Sequence, residues 1–216
     1  SNGSTTQTIT VGNSGVYQVT VTDGSGCSGI IATTVNVSPA PVADFTPNDG
    51  CINSAVNFGD ISSVNGSTIT AWSWDFGDGN FSQQQNPVHT YTSAGTYNVS
   101  LTVTTASGCT ATATDVVTIY SLPQANFSYN HGCEGTAIQF NDQSSVTAGN
   151  ITGWLWDFGD GTTSTLQNPS HVFNTNGMQT VTLTITTAGG CTDSRSHNVQ
   201  IFPLPQLAFN TSNTNL

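Results

Sequence analysis

Three aspartates recur as a set. Asp60, Asp75 and Asp78 stand 82 residues before Asp142, Asp157 and Asp160. Carboxylates grouped in this way could bind calcium, which takes six to eight oxygens from carboxylates, carbonyls and water. The same residues could instead serve turns, because a short Asp side chain accepts N–H bonds from the backbone just ahead of it. The EF-hand spacing is absent.

The cysteines repeat at the same interval. Cys27, Cys109 and Cys191 form one series, and Cys51 and Cys133 another. Two pairings are equally periodic. Cys51–Cys109 and Cys133–Cys191 each span 58 residues and would lie inside one module; Cys27–Cys51 and Cys109–Cys133 each span 24 and would cross a junction. The first would let each module fold alone. Neither is easy in a simple sandwich, whose first and last loops lie at opposite ends. Cys-x-x-Cys is missing, which argues against zinc and redox catalysis.

His89 and His171 each follow Asn-Pro. A catalytic histidine needs a nucleophile and an orienting partner. No Gly-x-Ser-x-Gly elbow or His-Glu-x-x-His helix is present, so both are read as structural, bonded to backbone. The single glutamate, Glu134, beside Cys133, gives no carboxylate pair for glycoside hydrolysis. We read the chain as non-enzymatic.

The frame for these residues is a stretch written twice: Trp72-Ser73-Trp74-Asp75-Phe76-Gly77-Asp78-Gly79 and Trp154-Leu155-Trp156-Asp157-Phe158-Gly159-Asp160-Gly161. On a strand, Trp72, Trp74 and Phe76 share one face, as do Trp154, Trp156 and Phe158. Three large rings on one face make a core wall; exposed, the tryptophans could line a glycan platform. The Gly-Asp-Gly that follows predicts a two-residue hairpin turn.

Other segments keep the same interval. Pro41–Phe45 maps to Pro123–Phe127 and then to Pro205–Phe209, and Asn86–His89 maps to Asn168–His171. This predicts the C-terminal half of a module at 1–38, full modules at 39–121 and 122–202, and the start of another at 203–216. In the first part, Thr8–Val11, Val16–Thr22 and Ile30–Val37 read as strands. In the second module, strands are expected near 42–46, 54–59, 68–76, 80–84, 87–91, 96–104 and 109–119. Seven short strands with regular turns predict an all-β sandwich. Proline-bearing junctions predict stiff linkers between modules, like beads on a string.

Composition narrows the partners. Twelve acidic residues, eleven of them Asp, face one basic residue, Arg195, for a net charge of −11. Such a chain cannot displace counterions from nucleic-acid phosphate. Nothing in it approaches the length of a membrane span. It opens on Ser1-Asn2-Gly3-Ser4 without a signal peptide and reads as a slice of a longer exported protein.

Trp74–Gly79, Asn86–Tyr91 and Gly95–Val103 together resemble the PKD domain, an Ig-like sandwich. The third module matches through Trp156–Gly161, Asn168–His171 and Gly177–Ile185, but has Gln179 and Phe173 where the pattern has tyrosines. The first part, with Gly15–Asp23 and Gly26-Cys27, is similar to Ig-like repeats of large surface proteins of Bacteroidota. The resemblance implies a non-catalytic extracellular spacer or adhesive segment, or an accessory region of a secreted hydrolase or peptidase. The implied partners are neighbouring modules of one long chain, surface glycans or proteins, or a laterally associated copy pairing along an open edge such as 109–119. Many PKD domains carry an Asp-rich turn before the Trp strand; here it is Asn65-Gly66-Ser67 and Ala148-Gly149-Asn150, which weakens the calcium reading.

Overall fold

The structure, a computed structural model, describes residues 8–206. The described residues contain strands and turns and no helix; the fold is all-β. The chain divides into two compact units. One is drawn from Ser1–Thr46, Gly59–Pro87 and Val99–Thr114, the other from Pro47–Phe58, Val88–Asn98 and Asp115–Leu216.

The first unit opens with a hairpin. Strand β1 (Gly15–Thr22) pairs antiparallel with β2 (Ser28–Val35), from Gly15↔Val35 to Thr22↔Ser28. Asp23 closes the turn, its Oδ1 accepting from the amides of Ser25 and Cys27 at 2.9 Å. Val16, Val21, Ile30 and Ile31 remain exposed. Thr8–Val11, expected as a strand, is not one. Alternation sets which way side chains point, but a strand also needs a ladder partner.

The second repeat contributes β3 (Phe45–Thr46), β4 (Gly50–Cys51), β5 (Ala55–Asn57), β6 (Gly59–Asp60), β7 (Ile69–Asp75), β8 (Phe81–Ser82), β9 (Val88–Thr90), β10 (Gly95–Thr105) and β11 (Thr110–Tyr120). Every expected strand has a counterpart. The strand expected at 54–59 is divided between β5 and β6, and the two-residue β4 has no counterpart in the expected set. Within the first unit, β7 pairs antiparallel with β8 and β10, and β3 with β6. Within the second, β5 pairs antiparallel with β9, and β4 runs parallel to the end of β11, with Tyr120 opposite Cys51. The outer side of β11, expected as an open edge, is therefore occupied at its last residues.

The third repeat lies wholly in the second unit. It comprises β12 (Pro123–Gln124), β13 (Phe127–Tyr129), β14 (Gly132–Cys133), β15 (Ala137–Asp142), β16 (Ser145–Val146), β17 (Ile151–Asp157), β18 (Thr163–Ser164), β19 (Ser170–Val172), β20 (Gly177–Thr187) and β21 (Thr192–Phe202). Five strands form one sheet in the order β14-β21-β20-β17-β18, and three form another, β13-β15-β19. Inward residues of both meet in one core. Phe127, Ile138 and Phe140 supply one side; Trp156, Phe158, Val181, Leu183, Ile185, Val199 and Ile201 supply the other. The ring of Trp156 is fully buried and lies edge-on to Phe127 at 5.0 Å between centroids. Its indole N–H donates to the Leu166 carbonyl at 2.9 Å, so the largest core side chain leaves no polar atom unpaired.

The repeated Trp-x-Trp-Asp-Phe stretch ends in a longer turn than expected. Asp75↔Phe81 and Asp157↔Thr163 are the last ladder pairs. The Phe76 and Phe158 amides then donate to the Asn80 and Thr162 carbonyls, leaving Gly77, Gly79, Gly159 and Gly161 at positive φ. A two-residue turn would leave no room for both Asp side chains to bond the loop. At Gly159 (φ +78) a Cβ would also meet the Thr180 carbonyl at 2.6 Å, so glycine is required twice over.

Candidate functional site

The six repeated aspartates do the same job by the same rule. Each carboxylate accepts the amide two residues ahead: Asp60 from Ser62, Asp75 from Gly77, Asp78 from Asn80, and Asp142, Asp157 and Asp160 from Ser144, Gly159 and Thr162, all at 2.9–3.0 Å. These are Asx turns. Among the described residues no group of three or more His, Cys, Asp or Glu stands together as a metal centre. The structure thus places Asp75 and Asp78 in one loop and Asp60 in another turn, and likewise Asp157 and Asp160 apart from Asp142.

Asp60 and Asp142 carry more than a turn. Trp72 Nε1–H donates to Asp60 Oδ2 at 2.6 Å, Gln85 donates to the same oxygen at 3.1 Å, and the Asp60 amide donates to Asn86 Oδ1. Trp154, Gln167 and Asn168 repeat the arrangement around Asp142 at 2.7, 3.1 and 2.8 Å. Burial alone would raise both carboxyls, but the donated bonds from Ser62, Trp72 and Gln85, and from Ser144, Gln167 and Trp154, hold them below the ordinary aspartate value. The tandem tryptophans therefore divide their labour. Trp74 and Trp156 are fully buried, while Trp72 and Trp154 are half-buried and tie the strand to the Asx turn. Of the three rings expected to form a core wall, Trp156 and Phe158 are buried in the core, and Trp154 packs against it half-buried while its indole N–H reaches the Asx turn.

In the first unit, the exposed part of this network lines a shallow groove of about 420 Å³. It is lined by Trp72, Asp60 and Gln85 together with Ser62, Ser63, Val64, Ser67, Thr68 and Ile69. A flat aromatic face among hydroxyls is suited to an extended polar chain.

His171 differs from expectation. His171 stacks on Phe158 at 4.0 Å and its Nε2 lies 2.7 Å from Asp160 Oδ2, so its partner is a carboxylate, not backbone. Thr162 Oγ1 approaches the same nitrogen at 3.4 Å while donating to Asp160. A proton relay needs a different ring nitrogen for each partner; here one nitrogen faces both. His89 packs edge-on to Tyr91 at 4.5 Å.

The disulfide departs from both expected pairings. Cys51 is bonded to Cys191, 140 residues apart, with Cα atoms 5.8 Å apart, and Cys27, Cys109 and Cys133 are thiols. An intramodule bond is ruled out by the length of a strand. Cys133 lies opposite Phe202, the last residue of β21, and Cys191 just precedes its first, Thr192. Eleven residues of strand separate them by about 35 Å, and a disulfide requires Cα atoms within about 7 Å. Cys51 and Cys191 instead meet where the end of β11 lies beside the turn before β21. A Cβ at Gly189 would overlap the Tyr120 ring, so the close approach depends on glycine there.

Comparison with known proteins agrees with this architecture. A family model of the PKD domain matches residues 36–119 and again 121–202. A microbial collagenase of Vibrio alginolyticus is 44% identical over 116 residues, 52% of this chain and 13% of that protein. Collagenase ColA of Bacillus cereus is 34% identical over 118 residues, 49% of this chain and 12% of that protein. The chain thus spans about an eighth of the length of these two relatives. Among solved structures, the PKD1 domain of Vibrio anguillarum Epp is 37% identical, with 38% of this chain and 96% of that domain covered at a TM-score of 0.36. No helix among the described residues is long and apolar enough to cross a membrane. Two consecutive family matches span most of the sequence, and the motif residues of both repeats make the same bonds; the chain belongs to the PKD domain family, whose modules are not themselves enzymes.

Proposed function

We propose that these modules form a non-catalytic accessory region of a secreted protein, holding its working parts against an extracellular polymer. The observation that carries this reading is the set of relatives: the matching segments occur in collagenases and in a metalloprotease of Vibrio cholerae. The Trp72 groove supplies a contact surface for an extended chain, and the single basic residue excludes nucleic acid from it. Co-sedimentation of the chain with collagen fibrils, and separately with cellulose and chitin, tests the reading. Saturable binding to one polymer, weakened at least tenfold by Thr68→Arg in the groove wall, is the expected result. Failure to bind any of them removes the substrate-contact role.

A second reading, an extracellular stalk or adhesin segment, draws on a different observation. The Cys51–Cys191 bond fastens one repeat to the next, as a load-bearing spacer would need. Recovery of the full protein with many further repeats and no catalytic domain would favour it.

A further inference from the structure

The five cysteines occupy two kinds of place. Cys27, Cys109 and Cys191 close the same turn: the amides of Asp23, Thr105 and Thr187 donate to their carbonyls at 2.9 Å in each case. Cys51 and Cys133 end the same short parallel strand, opposite Tyr120 and Phe202. The next amide, of Ile52 or Glu134, donates to the Tyr120 or Phe202 carbonyl at 3.0 and 2.9 Å. One member of each kind is joined, Cys51 to Cys191.

We propose that this bond is one link of a series, in which the turn cysteine of each repeat bonds the short-strand cysteine of the repeat before it. Cys133 is then the docking thiol for one further copy of this repeat in the same chain. Two observations support the series beyond the matched backbone. Phe202 is the counterpart of Tyr120 and is 49% exposed, whereas Gly189 packs onto the Tyr120 ring. Cys109 donates to the Ser38 carbonyl at 3.9 Å, and Ser38 is the counterpart of Tyr120. The turn of the second repeat thus reaches the segment just after the strand before it, at the position matching that reached by the turn of the third. The inference does not depend on the polymer-contact reading.

The chemistry is thiol–disulfide exchange. Two protein thiols become one disulfide, and a small-molecule disulfide such as oxidised glutathione takes up the two electrons and two protons as two thiols. The test extends the chain by repeating residues 123–204 once more directly after Leu204, with refolding in a glutathione redox buffer. Non-reducing peptide mapping should find Cys51–Cys191 unchanged and Cys133 bonded to the turn cysteine of the added copy. Maleimide titration should count three thiols, as in the parent chain. A bond within the added copy, or five thiols, overturns the series; so does a Cys133-linked dimer of the unextended chain. Should the extended chain not fold, Cys191→Ser in the parent chain decides. All four remaining cysteines should then titrate as thiols, and a Cys51–Cys109 bond would refute the pattern.

Discussion

Trp154 Nε1 donates to Asp142 Oδ2 at 2.7 Å, and Trp72 does the same to Asp60 at 2.6 Å one repeat earlier. The pair ties β17 to the turn after β15 and satisfies the polar atom of a half-buried ring. Trp154→Phe keeps one aromatic ring but removes the pyrrole half with its donor, so it should cost about 1.5–3 kcal/mol, the range for a hydrogen bond to a charged group. Asp142→Leu strips acceptors from Trp154, Gln167 and the Ser144 amide together, and should cost about 2–4 kcal/mol. Urea unfolding followed by tryptophan fluorescence measures both; equal losses would show that the indole bond alone matters.

Acid should loosen the repeats through the same carboxylates. Burial of Asp60, Asp142 and Asp160 would raise their pKa values, but the donated bonds outweigh it and all three are held below the ordinary 3.8. A carboxylate depressed in the folded state stabilises fully above its unfolded value, and that contribution is lost as pH falls through the folded value. Stability should therefore hold flat from neutral pH down to about 5 and decline below about 4. Melting temperature measured at steps from pH 7 to pH 2 checks this, and Asp142→Asn should flatten part of the decline.

Gly189 and Tyr120 should couple. Gly189→Ala places a methyl group into the Tyr120 ring and should cost about 1–3 kcal/mol as an overpacked contact. Tyr120→Ser opens the space and should relieve most of that loss, as the first junction carries serine at both counterparts, Ser38 and Ser107. A double-mutant cycle on thermal stability and on the yield of the Cys51–Cys191 bond reads the coupling. Additive effects would mean that the ring and the glycine do not share a contact.

Reduction should affect the second and third repeats together. Closing a loop of this length stabilises by about 5 kcal/mol in the chain-entropy model. A reducing agent, or Cys51→Ser, should lower the melting temperature by several degrees and leave the first hairpin's exchange protection unchanged. Equal melting of oxidised and reduced chains would mean that the bond constrains orientation without stabilising.

Much of this architecture is legible along the chain. The 82-residue interval, the alternation in β10 and β20, and the buried Trp74 and Trp156 follow from local rules, since a strand shows one face every second residue. The Asp-Phe-Gly-Asp-Gly turn was readable as a turn, although its length was not, because both Asp side chains bond back into it. The short β4 and β14 left no periodic signal, being two residues long. The bond between Trp154 and Asp142 joins residues twelve apart in separate strands, and no spacing rule announces it.

The disulfide shows the division most plainly. The sequence determines that the cysteines come in two periodic series and that tryptophan, aspartate and glycine recur around them. It left two pairings open, and the structure adopts a third. The choice rests on an eleven-residue strand that carries Cys133 and Cys191 to opposite ends, and on the Tyr120–Gly189 contact that brings Cys51 and Cys191 together. Both are matters of where chain ends meet in space, and a repeat interval along the sequence cannot encode which end of one module reaches which end of the next.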